Sequence, residues 1–296
     1  EYYLLNLIKG RYVDEESILK NMASQGLVFS GKYYFVGILL IEEYEQLPTD
    51  ISMVQVVRRC LPSTLSGGIV EDIRDSSIIL ILSTNINNMQ QLKPLLKEIK
   101  NALYNSFSIR CTFGVGSLYE KITLVGRSFI EARSCLDYRL ISGKNIVITT
   151  DEIEKISSYT FNYPQKKMIE LSLALSDGKI QQAIDFINNI FDTIEENKMP
   201  IYAVRCICFD IINTVVKTIV DMCITLDEFE KIIPNVIEMS KFDTISDLRR
   251  VIIKTCIDLT PLIQTSQIVD SDEVLVRQIR EYIDENCFHY NFSIQS

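Results

Sequence analysis

Residues Tyr33 to Ile41 read YYFVGILLI, and a run this apolar leaves no side to face water. Successive side chains of a strand point to opposite faces, so the run fits a central strand covered by helices. The flanking patterns extend the reading. A helix is expected over Ile51 to Leu61, with Val54, Val57 and Cys60 on one side. Gly67 to Asp72 and Ser77 to Leu82, separated by the polar Ile73-Arg74-Asp75-Ser76, read as a hairpin. Leu92, Leu95, Leu96, Ile99 and Leu103 recur at helical spacing between Met89 and Tyr104. Ile109, Cys111, Phe113 and Val115 then alternate with polar or small residues, the period of a strand. A helix over Leu124 to Ile141 and a strand over Asn145 to Thr149 follow. The order β-α-β-β-α-β-α-β predicts an α+β fold, a ferredoxin-like antiparallel sheet with helices on one face.

Near residue 150 the chain changes character, and every later periodic segment reads as helix. The expected spans are Lys166 to Leu175, Ile180 to Glu195, Ile201 to Asp221, Leu226 to Met239, Ile245 to Thr260 and Asp272 to Glu285. Thr225 with Glu228, and Asp270 with Glu273, have capping-box spacing, and Pro200 suits a first helical turn. The stretch Tyr202 to Asp221 is apolar nearly all round, which implies burial in an all-helical core or across a dimer interface; six helices need a core, which favours the first. A chain of 296 residues is long enough for two hydrophobic cores. The expected organisation is a helical N-terminal linker over 1–30, a sheet domain over 31–150, an all-α helical connector over 151–270, and the first helix of a further domain over 271–296.

Composition excludes several functions. The eight cysteines lie in apolar runs without a CxxC pair, as reduced, buried thiols of a cytoplasmic protein do. Cys206 and Cys208 form a C-x-C, but on a helix they point to different faces, which disfavours a metal site. No apolar stretch reaches the roughly 18 residues of a spanning helix. A net charge of −9 repels a phosphate backbone, so this segment by itself is not expected to bind nucleic acid. Tyr2-Tyr3-Leu4-Leu5 already reads as the middle of an amphipathic helix, and the last residues lack tail-like composition. Both ends are therefore expected to continue into a longer protein.

The passage with most information runs from Thr112-Phe113-Gly114-Val115-Gly116-Ser117 through Ser128-Phe129-Ile130-Glu131-Ala132 and Leu136-Asp137-Tyr138-Arg139 to Gly143-Lys144-Asn145. It resembles the C-terminal half of a GGDEF domain, the diguanylate cyclase fold, and more closely the degenerate GGDEF-like domain of Gram-positive AraC-type regulators, with their S-[YF]-x-E-A helix. The resemblance covers about residues 30 to 150. Ala132 would let the helix approach the sheet, Leu136 would pack under it, and Gly143 would permit the reversal into the last strand.

An active cyclase of that family carries two glycines and an acidic pair on its central hairpin, to admit the guanine nucleotide and hold its metal ions. Here Arg74, Asp75, Ser76 and Ser77 occupy that degenerate signature position. A one-residue slip brings Asp75 nearer the metal position, and Glu42 or Glu43 at the end of the first strand could supply the other acid. Arg74 and the missing glycines would still crowd a nucleotide. No catalytic residue, cofactor or metal is therefore expected. Gly114-x-Gly116 reads as a strand-end turn and Gly67-Gly68 as the start of a strand. Glu42, Glu43 and Glu45 read as a solvated charge cluster, and His289, the one histidine, as structural.

The last stretch carries a second resemblance. Tyr282-Ile283-Asp284-Glu285-Asn286-Cys287 followed by Phe292-Ser293-Ile294 is similar to the first helix and loop of the AraC-type helix-turn-helix domain, with Cys287, Phe292 and Ile294 departing from its usual residues. The two resemblances together imply a non-catalytic, cytoplasmic transmission segment of a bacterial AraC-type transcription regulator. They imply DNA contact through a helix-turn-helix beyond this segment, a homodimer, and an upstream membrane sensor or receiver domain. The alternative is a receptor module that keeps the old nucleotide cleft without turnover.

Overall fold

The computed structural model describes residues 2–11, 14–44, 51–72, 75–156, 163–197, 199–222, 226–261 and 279. The chain divides into two compact units. The first comprises Glu1–Phe161, Asn197–Val204 and Asp243–Ile245; the second comprises Asn162–Glu196, Arg205–Phe242 and Ser246–Ser296.

In the first unit, helices α1 (Tyr2–Ile8) and α2 (Glu15–Ser24) precede strand β1 (Tyr33–Glu43). Then come α3 (Met53–Cys60), β2 (Ser66–Asp72), β3 (Ser77–Thr84), α4 (Met89–Phe107) and β4 (Arg110–Val115). Helices α5 (Val125–Asp137) and α6 (Arg139–Ser142), strand β5 (Val147–Thr149) and helix α7 (Thr150–Ile156) complete it. Local signals set several boundaries. Ser52 and Gln55 exchange side-chain and backbone hydrogen bonds in a capping box that opens α3. Ser108, left-handed at φ 53°, ends α4 and turns the chain into β4. The helix expected over Leu124 to Ile141 is split at Tyr138 into α5 and α6, after which Gly143, at φ 87°, reverses the backbone.

The five strands form one sheet in the order β2-β3-β1-β4-β5. The long apolar strand is its centre, antiparallel to β3 on one side and β4 on the other. Only β5 departs from the expected antiparallel pattern, pairing parallel to β4, because α5 and α6 carry the chain back before it enters the sheet.

Helices cover both faces, where the ferredoxin-like reading put them on one. Phe35, Leu39, Leu80 and Phe113 face a core completed by α3 and α4 through Val56, Val57, Leu92 and Leu96. Val36, Ile38, Ile79 and Ile81 face a second core completed by Val125 and Ala132 of α5. Leu4, Leu7, Ile18 and Met22, inside the stretch 1–30 expected as a linker, are buried in that second core. The alternation of side chains along β1 thus feeds two cores from one strand.

The approach of α5 to the sheet is unusually close, and glycine permits it. A Cβ on Gly114 would lie 2.4 Å from the carbonyl oxygen of Ala132, and one on Gly116 only 2.0 Å from that of Ser128. These glycines therefore serve helix-on-sheet packing, with Gly114 inside β4; the strand-end turn expected from the sequence is not their purpose. Ser128 fixes the contact: its hydroxyl accepts from the Val36 N–H at 2.9 Å and donates to the Ser117 carbonyl at 3.0 Å. Glu131 holds the following loop, accepting from the Ser117 N–H at 2.9 Å and from the Tyr119 hydroxyl at 2.6 Å. Burial, then the Glu131 carboxylate, push the Tyr119 hydroxyl up to about 12.

The second unit is helical. It contains α8 (Gln165–Ser176), α9 (Ile180–Glu196), most of α10 (Ile201–Met222), α11 (Leu226–Ser240) and a helix over 246–261. Leu171, Ile187, Phe191, Ile211, Val215 and Ile252 are fully buried. Polar bonds tie the helices: Arg249 donates to Asn188 and Asp192, both at 2.8 Å, and Asn235 donates to Asp258 at 3.0 Å. The helix expected over Asp272 to Glu285, the similarity to a helix-turn-helix start, the two capping-box signals and His289 lie outside the described residues.

Gly116→Ala should destabilise the first unit by about 2–3 kcal/mol, because the added methyl meets backbone that cannot rotate away. A denaturant titration followed by circular dichroism measures it; a change within about 0.5 kcal/mol would contradict the packing described.

Candidate functional site

The β2–β3 hairpin and the end of β1 carry the acids that could serve metal chemistry, and these line two separate clefts. Asp72 pairs with Ser77 across the β2–β3 hairpin that the sequence indicates. Arg74 lies outside the described residues. Ser76 is left-handed at φ 48°, and its carbonyl accepts from the Ile41 N–H at 3.2 Å, extending the β1–β3 ladder. Ser77 is buried within β3, opposite Leu40. Both serines are thus part of the sheet edge. Asp75 presents a carboxylate at the turn, where Asp72 lines the same cleft, and it accepts from the Arg133 guanidinium of α5 at 3.0 Å.

Glu42 and Glu43 part company at the end of β1. Glu43 is exposed and accepts from Arg110 at 3.1 Å. The ring hydroxyl of Tyr104 and then Glu43 raise the Arg110 guanidinium above its ordinary value. Glu42 turns inward, its side chain 7% exposed. It accepts from the Thr112 hydroxyl at 2.5 Å and the Asn145 N–H at 3.0 Å, with the Arg139 guanidinium 3.6 Å away. The expectation of a solvated charge cluster therefore holds for Glu43 and fails for Glu42. A β-bulge between Ile41 and Glu43 redirects the strand there.

Asn145 is itself fixed. It sits left-handed at φ 59°, and the Lys100 ammonium donates to its carbonyl at 2.9 Å and to its side chain at 3.0 Å. The Gly143-Lys144-Asn145 sequence is thus the backbone cap on Glu42. Asp243, which belongs to the first unit, pairs with Arg139 at 2.7 Å and with Lys144 at 3.0 Å.

Each of the three candidate acids therefore faces an arginine: Asp75 with Arg133, Glu43 with Arg110, Glu42 with Arg139. A divalent cation would have to displace these guanidiniums and take carboxylate oxygens already engaged. Among the described residues, no group of three His, Cys, Asp or Glu side chains is placed to hold a metal ion. A cleft of about 350 Å³ does remain between the hairpin and α5, with Leu40, Phe129 and Leu136 among its apolar walls and Asp72, Asp137 and Arg139 beside the Asp75–Arg133 pair. A second, of about 420 Å³, opens beside Glu42, Arg139 and Lys144.

The thiols do not add reactive groups to the site. Burial pushes Cys111 and Cys135 up to about 12, and Cys208 and Cys256 as well. Cys206 is exposed while Cys208 is buried, so the C-x-C pair faces two ways. Cys223 and Cys287 lie outside the described residues. Among the described residues no helix is long and apolar enough to cross a membrane.

Residues 9–138 match the family model of a GGDEF-like domain. No curated protein matches the chain. The chain therefore carries a GGDEF-like domain within an α+β fold, followed by a helical region. The match begins before residue 30, where the sequence resemblance began, and so takes in α2, whose Ile18 and Met22 are buried against the sheet.

The arginines were the missed part of the site. Asp75 and Arg133 are 58 positions apart, and Glu42 and Asn145 are 103 apart, so no local spacing signals them. Arg139→Met should destabilise the first unit by about 2 kcal/mol, because it strips a cation from a buried carboxylate. Adding Glu42→Gln to that variant should restore part of the loss. Thermal melts of the two single variants and the double variant measure the coupling, and strictly additive losses would contradict the pairing.

Proposed function

We propose that this chain is a non-catalytic transmission and regulatory segment of a bacterial AraC-type transcription regulator. In this reading the GGDEF-like domain is a relay body without turnover. The helical region couples it to a helix-turn-helix that begins near residue 271 and contacts DNA beyond this segment. A homodimer in the cytoplasm is the working form, and an upstream membrane sensor or receiver domain supplies the input.

One observation carries the non-catalytic part: Glu42, Glu43 and Asp75 each face an arginine where a cyclase needs free acids. Two-metal phosphoryl chemistry works by bridging attacking and leaving oxygens with cations that carboxylates hold. Here Glu42 is committed to Thr112, Asn145 and Arg139, and Asp75 sits in a turn without the two glycines that would admit the nucleotide. The Tyr282-to-Asn286 and Phe292-to-Ile294 spacing supports the AraC part, and the acidic net charge of −9 supports placing DNA contact elsewhere in the protein.

The second reading, a receptor that keeps the cleft without turnover, draws on the 350 Å³ space between the hairpin and α5. That space has apolar walls and a charged rim, as small-molecule sites do.

Incubation of the chain with GTP and magnesium or manganese should release no pyrophosphate and no cyclic dinucleotide. Product that disappears in Glu42→Gln or Asp75→Ala would overturn the relay reading. Calorimetry in the same buffers separates the alternatives, since saturable micromolar heat without product would favour the receptor.

A further inference from the structure

Helix α10 has two apolar faces, and the core uses only one. Ile207, Cys208, Ile211, Val215 and Ile219 are fully buried in the second unit. On the opposite side Cys206, Phe209, Asn213, Val216 and Val220 form a separate stripe, with Phe209 54% and Val220 56% exposed, Cys206 and Asn213 exposed, and Val216 half-buried. Their spacing alternates three and four residues. That is the a/d period of a coiled coil, with Cys206, Asn213 and Val220 at a and Phe209 and Val216 at d. The same period reaches back in the sequence to Tyr202.

From this pattern we propose that the outer face of α10 pairs with the same face of a second copy of the chain, in parallel and in register. Three features select a second copy over another partner. Asn213 stands in the middle of an apolar stripe, and an identical amide at the same height meets its donor and acceptor together, the arrangement by which one asparagine at an a position sets register in parallel dimers. The parallel register also brings Arg205 of one copy, at g, toward Asp210 of the other, at the following e; Asp210 accepts from the Tyr163 hydroxyl of its own chain, and the charges flanking the stripe are opposite in sign. A two-fold axis along the stripe makes the patch self-complementary: Phe209 faces Phe209, Val216 faces Val216 and Val220 faces Val220. Phe209 also makes an edge-on contact with Phe242 of its own chain, at 6.3 Å between ring centroids, and still leaves 54% of its surface exposed.

The pairing names the surface through which the helical region would report dimer state. It rests on the homodimer proposed above and names its surface: a dimer indifferent to both aspartates would sink the surface alone, a chain monomeric throughout would sink the homodimer too, and neither touches the reading of the arginine-paired acids.

Parallel register brings Cys206 against Cys206 across the axis, which gives the experiment its geometric readout. The 296-residue chain is run by sedimentation equilibrium between about 1 and 100 µM, as wild type, Phe209→Asp and Val220→Asp. It is then treated with diamide, which accepts the two electrons and two protons released as two thiols become one disulfide, with Cys206→Ser as the control. Circular dichroism establishes that the variants remain folded, as substitutions at exposed positions should. The expected result is a concentration-dependent dimer, weakened on the order of thirtyfold or more by either aspartate, and a covalent dimer formed by wild type and lost in Cys206→Ser. A chain that stays monomeric throughout, a dimer indifferent to both aspartates, or a dimer that does not cross-link through Cys206 would each overturn the proposal.

Discussion

The contact of α5 with β1 and β4 is the constraint on which the first unit rests. It needs two side chains reduced to hydrogen, at Gly114 and Gly116, so that the helix backbone can lie against the strand end. It also needs Ser128, which satisfies the Val36 N–H and the Ser117 carbonyl in a place water cannot reach. Buried backbone groups left unpaired cost on the order of 1–3 kcal/mol each, so the serine is as much a part of the sheet edge as a strand residue would be. Glu131, one helical turn on, pins the loop that leads into the helix. The Ser128-Phe129-Ile130-Glu131-Ala132 motif is therefore a clamp: hydroxyl to strand, carboxylate to loop, small side chain to glycine.

Because α5 is clamped, the cations it and α6 carry have fixed positions. Arg133 reaches the hairpin turn and Arg139 reaches the end of β1. The resulting pairs differ in weight. Asp75–Arg133 and Glu43–Arg110 are largely exposed, so solvent screens them and they contribute little to stability. Glu42 is different, since it is buried with hydroxyl, backbone amide and guanidinium around it, and removing the guanidinium leaves a buried charge without its counter-ion. Of the three acids only Glu42 ties separate parts of the fold together: the end of β1, β4 and the turn before β5.

The sequence revealed the parts that rest on short-range periodicity. Tyr33 to Ile41 could only be a central strand, and its two-sided apolar character already required helices on both faces; the ferredoxin-like pattern, which puts them on one, lost to that simpler argument. The β2–β3 hairpin and the helices of the second unit were legible because turn composition and a 3.6-residue period are local. The parallel pairing of β5, the burial of Leu4 and Leu7 against the sheet and the inward turn of Glu42 were not. Each depends on residues far apart in the chain, or on a bulge that redirects one side chain. Gly114-x-Gly116 was visible as a motif, yet its purpose lay in the helix that begins at Val125.

The central claim is that Glu42, Glu43 and Asp75 are committed to arginines and do not form a cation site. Manganese titration of the isotopically labelled chain, read as paramagnetic broadening of backbone amide resonances, tests it directly. The account predicts no saturable broadening centred on residues 41–44 and 75–77, only the weak, diffuse loss expected of an acidic surface. Selective, saturable broadening of those amides at micromolar manganese would contradict it.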